Sequence, residues 1–112
     1  MKYEEFDVLL DKMIAEEKAI GKTKGNEYTQ GDRLDNFKRI AKELGITPKQ
    51  ALWVYLKKHL DSIASYIKAD AVSKTGAPIL SEPIEGRIMD ARVYLSLLRA
   101  IIEEERQSNS HE

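Results

Sequence analysis

Residues 47–70, TPKQALWVYLKKHLDSIASYIKAD, read as one long helix, and the face of that helix decides the fold class. Thr47 suits an N-cap, Pro48 suits the first helical position, and Gln50 closes a capping box of the S/T-x-x-Q type. At about 100° per residue, Leu52, Leu56, Ile63 and Ile67 fall in one apolar stripe. His59 lies in the middle of that stripe. A titratable ring at the centre of a core-facing helix calls for partners, and the rest of the chain is read for them.

Upstream, residues 3–20 carry Phe6, Leu9, Leu10, Met13 and Ile14 at helical spacing, with Ile20 extending the stripe. Glu4 and Glu5 favour the positive end of the dipole, Lys18 the negative end, and Gly21 is a natural stop. The spacing predicts a core helix with a solvated acidic face. Residues 21–31, GKTKGNEYTQG, hold three glycines and no periodicity, which predicts a loop. Its GKTKG piece lacks P-loop spacing, although Lys22 and Lys24 are placed to meet a phosphate. Asp32 is a candidate N-cap for a second helix to about Leu44. That helix turns Leu34, Phe37, Ile40, Ala41 and Leu44 inward, with Arg33 at the inner edge. Asp32, Asp35, Lys38 and Lys42 point away. Gly45 ends it, and the short link to Pro48 makes the second and third helices antiparallel neighbours.

Downstream, AVSKTGAPILS (71–81) reads as a second loop. Ser81 or Glu82 caps a last helix, about Pro83 to Arg106. Ile84, Ile88, Ala91, Leu95, Leu98 and Ile102 line one side of it. Tyr94, Leu97 and Ile101 widen the apolar arc to about half the wheel, enough for two neighbours, such as the bundle and a second subunit. Residues 107–112 read as a frayed polar tail. The expected architecture is all-α: one domain over 1–112, a four-helix bundle with helices at about 3–20, 32–44, 48–70 and 83–106, assembled as a homo-oligomer.

Composition narrows the chemistry. The 112 residues carry 18 basic and 19 acidic side chains, a balance with no global pull toward nucleic acid or an anionic membrane. The chain has no cysteine, which excludes disulfides, thiolate zinc sites and cysteine nucleophiles. No apolar run approaches the roughly 20 residues that span a bilayer, and the acidic N-terminus is unlike a signal peptide. The expected location is cytoplasmic.

His59, Arg87 and Asp90 fall at inner positions, with Arg33 beside them. Buried charges are costly unless paired, so these groups should meet each other, a ligand or a metal. A His59–Asp90 hydrogen bond is the simplest pairing, with Lys58 and Asp61 flanking. The acid count near this centre is low for a magnesium site, and no Ser–His–Asp arrangement occurs. Trp53, Tyr55, Tyr66 and Tyr94 read as core or interface residues, although each could stack on a base. The Gly45-Ile46-Thr47 turn has the length of a helix-turn-helix, but the third helix is too long and too mixed in charge for a recognition helix.

The segments EYTQGDRLDNFKR (27–39), LKKHLDSI (56–63) and EPIEGRIMDARVYLSLLRAI (82–101) together resemble a family of small, uncharacterised bacteriophage helical proteins. The pattern matches at Glu27, Tyr28, Arg33, Leu34, Asn36, Phe37, Lys58, His59, Asp90, Tyr94 and Leu95, and covers roughly residues 25–105. More distantly, the order resembles the MazG-type all-α nucleoside-triphosphate pyrophosphohydrolases. That resemblance implies magnesium held by E-x-x-E and E-x-x-D helices, and dimers or tetramers. In RIMDARVYLSLL (87–98) Asp90 matches the acid, but Arg87 stands where a glutamate should be. In the KHLD segment Lys58 and Asp61 fall at the first motif. Replacing carboxylates with cations lowers metal affinity and raises affinity for phosphate.

The resemblance and the residues together imply a phage-type binder of a nucleotide or related phosphorylated molecule, sequestering a host signalling nucleotide. Tyr28, Arg33, Lys58, His59, Arg87 and Asp90 would be its binding residues, with no cofactor. The alternative enzyme is a magnesium-dependent pyrophosphohydrolase with Glu27, Asp61, Glu85 and Asp90 as ligands. A third reading is an oligomeric interaction module whose polar core fixes register.

Overall fold

The computed structural model describes residues 1–28, 31–72 and 83–110, with side chains described for 1–20, 31–72 and 83–109. It has four helices, α1 (Tyr3–Tyr28), α2 (Asp35–Leu44), α3 (Pro48–Val72) and α4 (Ile84–Ser110), with no strand among the described residues. The all-α expectation holds. No helix is long and apolar enough to cross a membrane.

The helix ends follow local chemistry. The Thr47 amide donates to Gln50 Oε1 at 2.9 Å, and the Gln50 amide donates back to Thr47 Oγ1 at 3.1 Å. The reciprocal capping box therefore starts α3 where the sequence places it. Gly45 takes the left-handed conformation, φ +67°, and the Gly45 and Ile46 amides both return to the Ala41 carbonyl. That closure ends α2 and uses a backbone shape that costs an L side chain about 1 kcal/mol or more.

Other boundaries differ from the sequence expectation. α1 passes through Gly21 and Gly25 to Tyr28, where a stop at Gly21 and a loop were expected. Each glycine costs about 1 kcal/mol against alanine, but extension adds a hydrogen bond per residue without a new nucleus. Asp32 does not cap α2 directly. Its carboxylate accepts the Leu34 amide at 2.9 Å in an Asx turn, one turn ahead of the helix. Pro83 precedes α4, its carbonyl accepting from Gly86 and Arg87. α4 continues through the expected frayed tail to Ser110. The expected caps Ser81 and Glu82, and residues 73–82 of the second loop, lie outside the described residues.

The core belongs to α2, α3 and α4. Leu34, Phe37, Leu52, Leu56, Ala91, Leu97 and Ile101 form one buried cluster, flanked by Tyr55, Ile63, Val93, Tyr94 and Leu98. Leu52 and Leu56 are the anchors, at 0% and 1% exposure. Contacts from Ser62 to Arg87, from His59 to Tyr94 and from Lys49 to Glu105 run in opposite chain directions, so α3 and α4 are antiparallel. Ile67, expected inside, is 61% exposed. The contact of Ser62 with Arg87 lies one turn from the start of α4, so the last turns of α3 overhang their partner. On α4, Ile88 and Leu95 are likewise exposed where the sequence turned them inward.

α1 is the largest departure. It was expected in the core, yet no side chain of residues 3–20 is buried, and Phe6 is 46% exposed. α1 docks on α4, and a helix with one neighbour covers only a narrow stripe, here Leu10, Met13, Glu17 and Ile20. α1 meets α4 at Arg92 and Ser96, while Ile88 and Leu95 of the α4 apolar arc stay exposed. α2 and α3 take one side and α1 the other.

Candidate functional site

Along the α3–α4 seam the ring side chains come first. Tyr55 and His59 sit one turn apart on α3, and Tyr94 faces both from α4. The Tyr55 and Tyr94 rings are parallel at 6.1 Å, and His59 stacks on Tyr94 at 5.2 Å and 27°. Phe37 of α2 meets both tyrosines edge-on at 6.3 Å. Such offset and edge contacts suit the ring quadrupole and hold the rings in fixed orientations.

The polar groups gather at the outer edge of this stack. His59 Nδ1 lies 4.0 Å from Asp90 Oδ2, both side chains about a quarter exposed. This is beyond hydrogen-bond reach, so the expected direct His59–Asp90 bond is not formed. Arg87 Nη1 donates to Ser62 Oγ, one turn further along the same seam. The Tyr94 side chain is partly buried in the same seam. Burial raises its pKa first, Asp90 and Tyr55 push it further up, and Arg33 partly offsets them. Arg33 and Asp90 therefore act on one atom from different elements. Arg33 also lines a surface cleft with Asp32, Leu34, Ala100, Glu103, Glu104 and Gln107. It is half-buried and forms no ion pair among the described residues.

Not every sequence candidate converges here. Lys58 is exposed beside His59. Asp61 is exposed and pairs with Lys57 at 3.2 Å. Glu85 is exposed on the first turn of α4. The backbones of Glu27 and Tyr28 end α1, and their side chains lie outside the described residues. Among the described residues no group of three or more His, Asp or Glu side chains is placed to hold a metal ion.

Two ion-pair groups were missed in the sequence. Lys38, expected to point outward, bridges Asp32 Oδ2 at 2.9 Å and Glu104 Oε1 at 2.6 Å. The contact with Glu104, then with Asp32, raises the Lys38 pKa, and Lys38 and the Leu34 amide lower that of Asp32. Glu17 of α1, read as part of a solvated face, accepts from Ser96 Oγ at 2.8 Å and pairs with Arg92 at 3.6 Å. Its signal was legible. Leu10, Met13, Glu17 and Ile20 recur at three- and four-residue steps, so one acid interrupts an apolar stripe. Tyr55 before His59 and Tyr94 after Asp90, each by four residues, was the matching signal for the ring stack.

The chain matches no family model, no curated protein and no solved structure. The site is therefore read from its own geometry.

The shifted groups fix the pH response. The Tyr94 pKa is raised above its ordinary 10.0, so its contribution is complete below that pH and is lost as pH rises through the folded value. Lys38, raised above 10.5, adds loss on the same alkaline side. Asp32, held below 3.8, contributes above that pH and loses its contribution as pH falls through its folded value. Ultraviolet titration at alkaline pH should show a late-ionising tyrosine step that is absent in Tyr94→Phe. Simultaneous ionisation of all the tyrosines in the folded protein would contradict the buried setting of Tyr94.

Proposed function

We propose that the chain binds a small phosphorylated molecule of nucleotide type at the edge of the α2–α3–α4 seam, around Arg33, His59, Asp90 and Tyr94. One observation carries the reading. Arg33 is a half-buried guanidinium with no ion pair among the described residues, two residues before α2, whose Phe37 meets the Tyr55 and Tyr94 rings edge-on. A guanidinium presents a planar fork that matches phosphate oxygens. The rings offer a face on which a base can lie, and Asp90 can accept a ribose hydroxyl.

Arg87, anchored to Ser62, and Lys58, free to swing over the seam from its exposed position, extend the cationic rim. Tyr28 completes the binding set in this reading. The nucleotide part rests on the resemblance to the phage and MazG-type proteins. In that setting the chain would sequester a host signalling nucleotide, alone and without a metal.

Binding to the folded state must raise apparent stability, by about 2.7 kcal/mol at a hundredfold excess over Kd. Thermal unfolding is measured against nucleoside triphosphates, cyclic dinucleotides, ADP-ribose and inorganic pyrophosphate. At least one should raise Tm, and Arg33→Ala should abolish the rise while leaving the helical signal intact. No rise with any of them, or a rise that Arg33→Ala preserves, sinks the proposal. Pyrophosphate release from a triphosphate with magnesium, abolished by Asp90→Ala, would replace it with the hydrolytic reading.

A further inference from the structure

α4 carries a face that the proposed ligand site does not use. Met89, Arg92, Val93 and Ser96 recur at three- and four-residue spacings, so they share one side of the helix. By helical projection that side is turned away from Arg87, Asp90 and Tyr94. Met89 is 5% exposed, yet it lies outside the cluster that α2, α3 and α4 build. Glu17 of α1 reaches the same side through Ser96 Oγ and Arg92. α1 therefore covers this face, with Leu10, Met13, Glu17 and Ile20 half-buried along its stripe.

The cover is shallow. No side chain of residues 3–20 is buried, and Arg92 Nε is shut from solvent without a hydrogen-bond partner among the described residues. A narrow seam closed by an acid, a hydroxyl and a guanidinium is the kind of contact that opens as a unit. What holds the rest of the fold does not involve α1. The capping box, the Gly45 closure, the Lys49–Glu105 and Lys38–Glu104 pairs and the core around Leu52 all lie within residues 34–105. α1 can leave α4 with these contacts intact.

We propose that α1 is an exchangeable strap over a helix-docking face of α4, and that the opened face takes an acidic amphipathic helix of another protein. The chemistry of that helix is read from the occupant already in place. α1 sets Leu10, Met13 and Ile20 in line with one acid, Glu17, on a segment with six acidic side chains against two lysines. The face beneath is its complement. Met89 and Val93 are apolar, Arg92 is a cation and Ser96 donates to a carboxylate. A competing helix with the same spacing of apolar residues and acid makes the same contacts. Strap and partner exclude each other. Weakening the strap therefore raises the fraction of open chains and tightens the partner's apparent affinity by the same factor.

The probe is a labelled synthetic peptide of residues 1–28, added to the full chain. Glu17→Ala in the chain removes the acid from the strap and leaves the α4 face unchanged. The peptide should bind the Glu17→Ala chain about tenfold or more tighter than the unsubstituted chain. A peptide carrying Glu17→Lys should bind neither. Met89 gives a second readout, because peroxide oxidises an exposed thioether far faster than a buried one. Followed by mass spectrometry, Met89 should oxidise slowly in the unsubstituted chain, faster in Glu17→Ala, and slowly again with the peptide bound. Equal Met89 rates in the two chains overturn the proposal. So does a peptide that binds both chains equally or neither, or one whose Glu17→Lys form binds as well. A Glu17→Ala chain that dimerises without peptide would show a second copy's α1 taking the face, and overturns the assignment to a separate partner.

Discussion

Leu52→Ala is expected to lower the unfolding free energy by about 3–5 kcal/mol, among the largest single-site effects in this fold. Leu52 is wholly buried, within the cluster built from α2, α3 and α4. Truncation removes its transfer free energy and leaves a cavity walled by three helices that are held in place by other contacts. The capping box at Thr47, the Gly45 closure and the Lys49–Glu105 pair fix the start of α3 against collapse into that space. For a chain of this size, Tm should fall by about 4–8 °C per kcal/mol. Ile67→Ala, on the same predicted stripe but 61% exposed, should cost well under 1 kcal/mol in the monomer. Equal losses from the two would mean that the C-terminal turns of α3 are packed as the sequence alone implies. Chemical denaturation of both variants decides the matter.

Glu17→Ala is the second large effect, and it should be local. Glu17 holds α1 to α4 through Ser96 and Arg92, in side chains only 19% and 28% exposed for the acid and the arginine. Arg92 Nε is already buried without a hydrogen-bond partner among the described residues. Removing the carboxylate leaves a half-buried guanidinium with less compensation, which costs about 1–3 kcal/mol after allowance for partial solvent screening. The loss should appear where the contact acts. Amide exchange in α1 should accelerate about tenfold or more, while protected amides of α3 around Leu52 and Leu56 keep their rates. Arg92→Met in the same background should recover part of the loss, since the stranded charge is gone. Uniform acceleration through α3 would show instead that α1 belongs to the same cooperative unit as the core.

These two variants mark the line between what was legible and what was not. Thr47, Gln50 and Gly45 act over three or four residues, through bonds to their own backbone. Their roles are set by local chemistry, and they were readable at once. The buried pair Leu52 and Leu56 was readable for a related reason. A 3.6-residue period reports which side of a helix is apolar, whatever that side meets.

The proposed site was partly legible. Periodicity placed His59, Asp90 and Arg33 toward the inside, and the structure brings His59 and Asp90 to one seam. It could not supply the separation of His59 from Asp90, which depends on how closely two helices approach. Nor could it show Tyr94 packed against both Tyr55 and His59. That packing arises from the antiparallel register of α3 and α4, a property of no single segment. Lys38 shows the same limit. Its position on the helix wheel is outward, yet a long flexible side chain reaches Glu104 on another helix.

By itself the sequence determined an all-α chain, the start of α3, the end of α2 and the residues at the heart of the core. Local hydrogen bonds and helical periodicity suffice for these. Only the tertiary structure decided that α1 stands outside the core, that the far end of α3 overhangs, and that Glu17 is a clamp. Amphipathicity records that a helix has an apolar face. How much of that face is covered depends on the number and length of its neighbours, and these are fixed only when the helices pack.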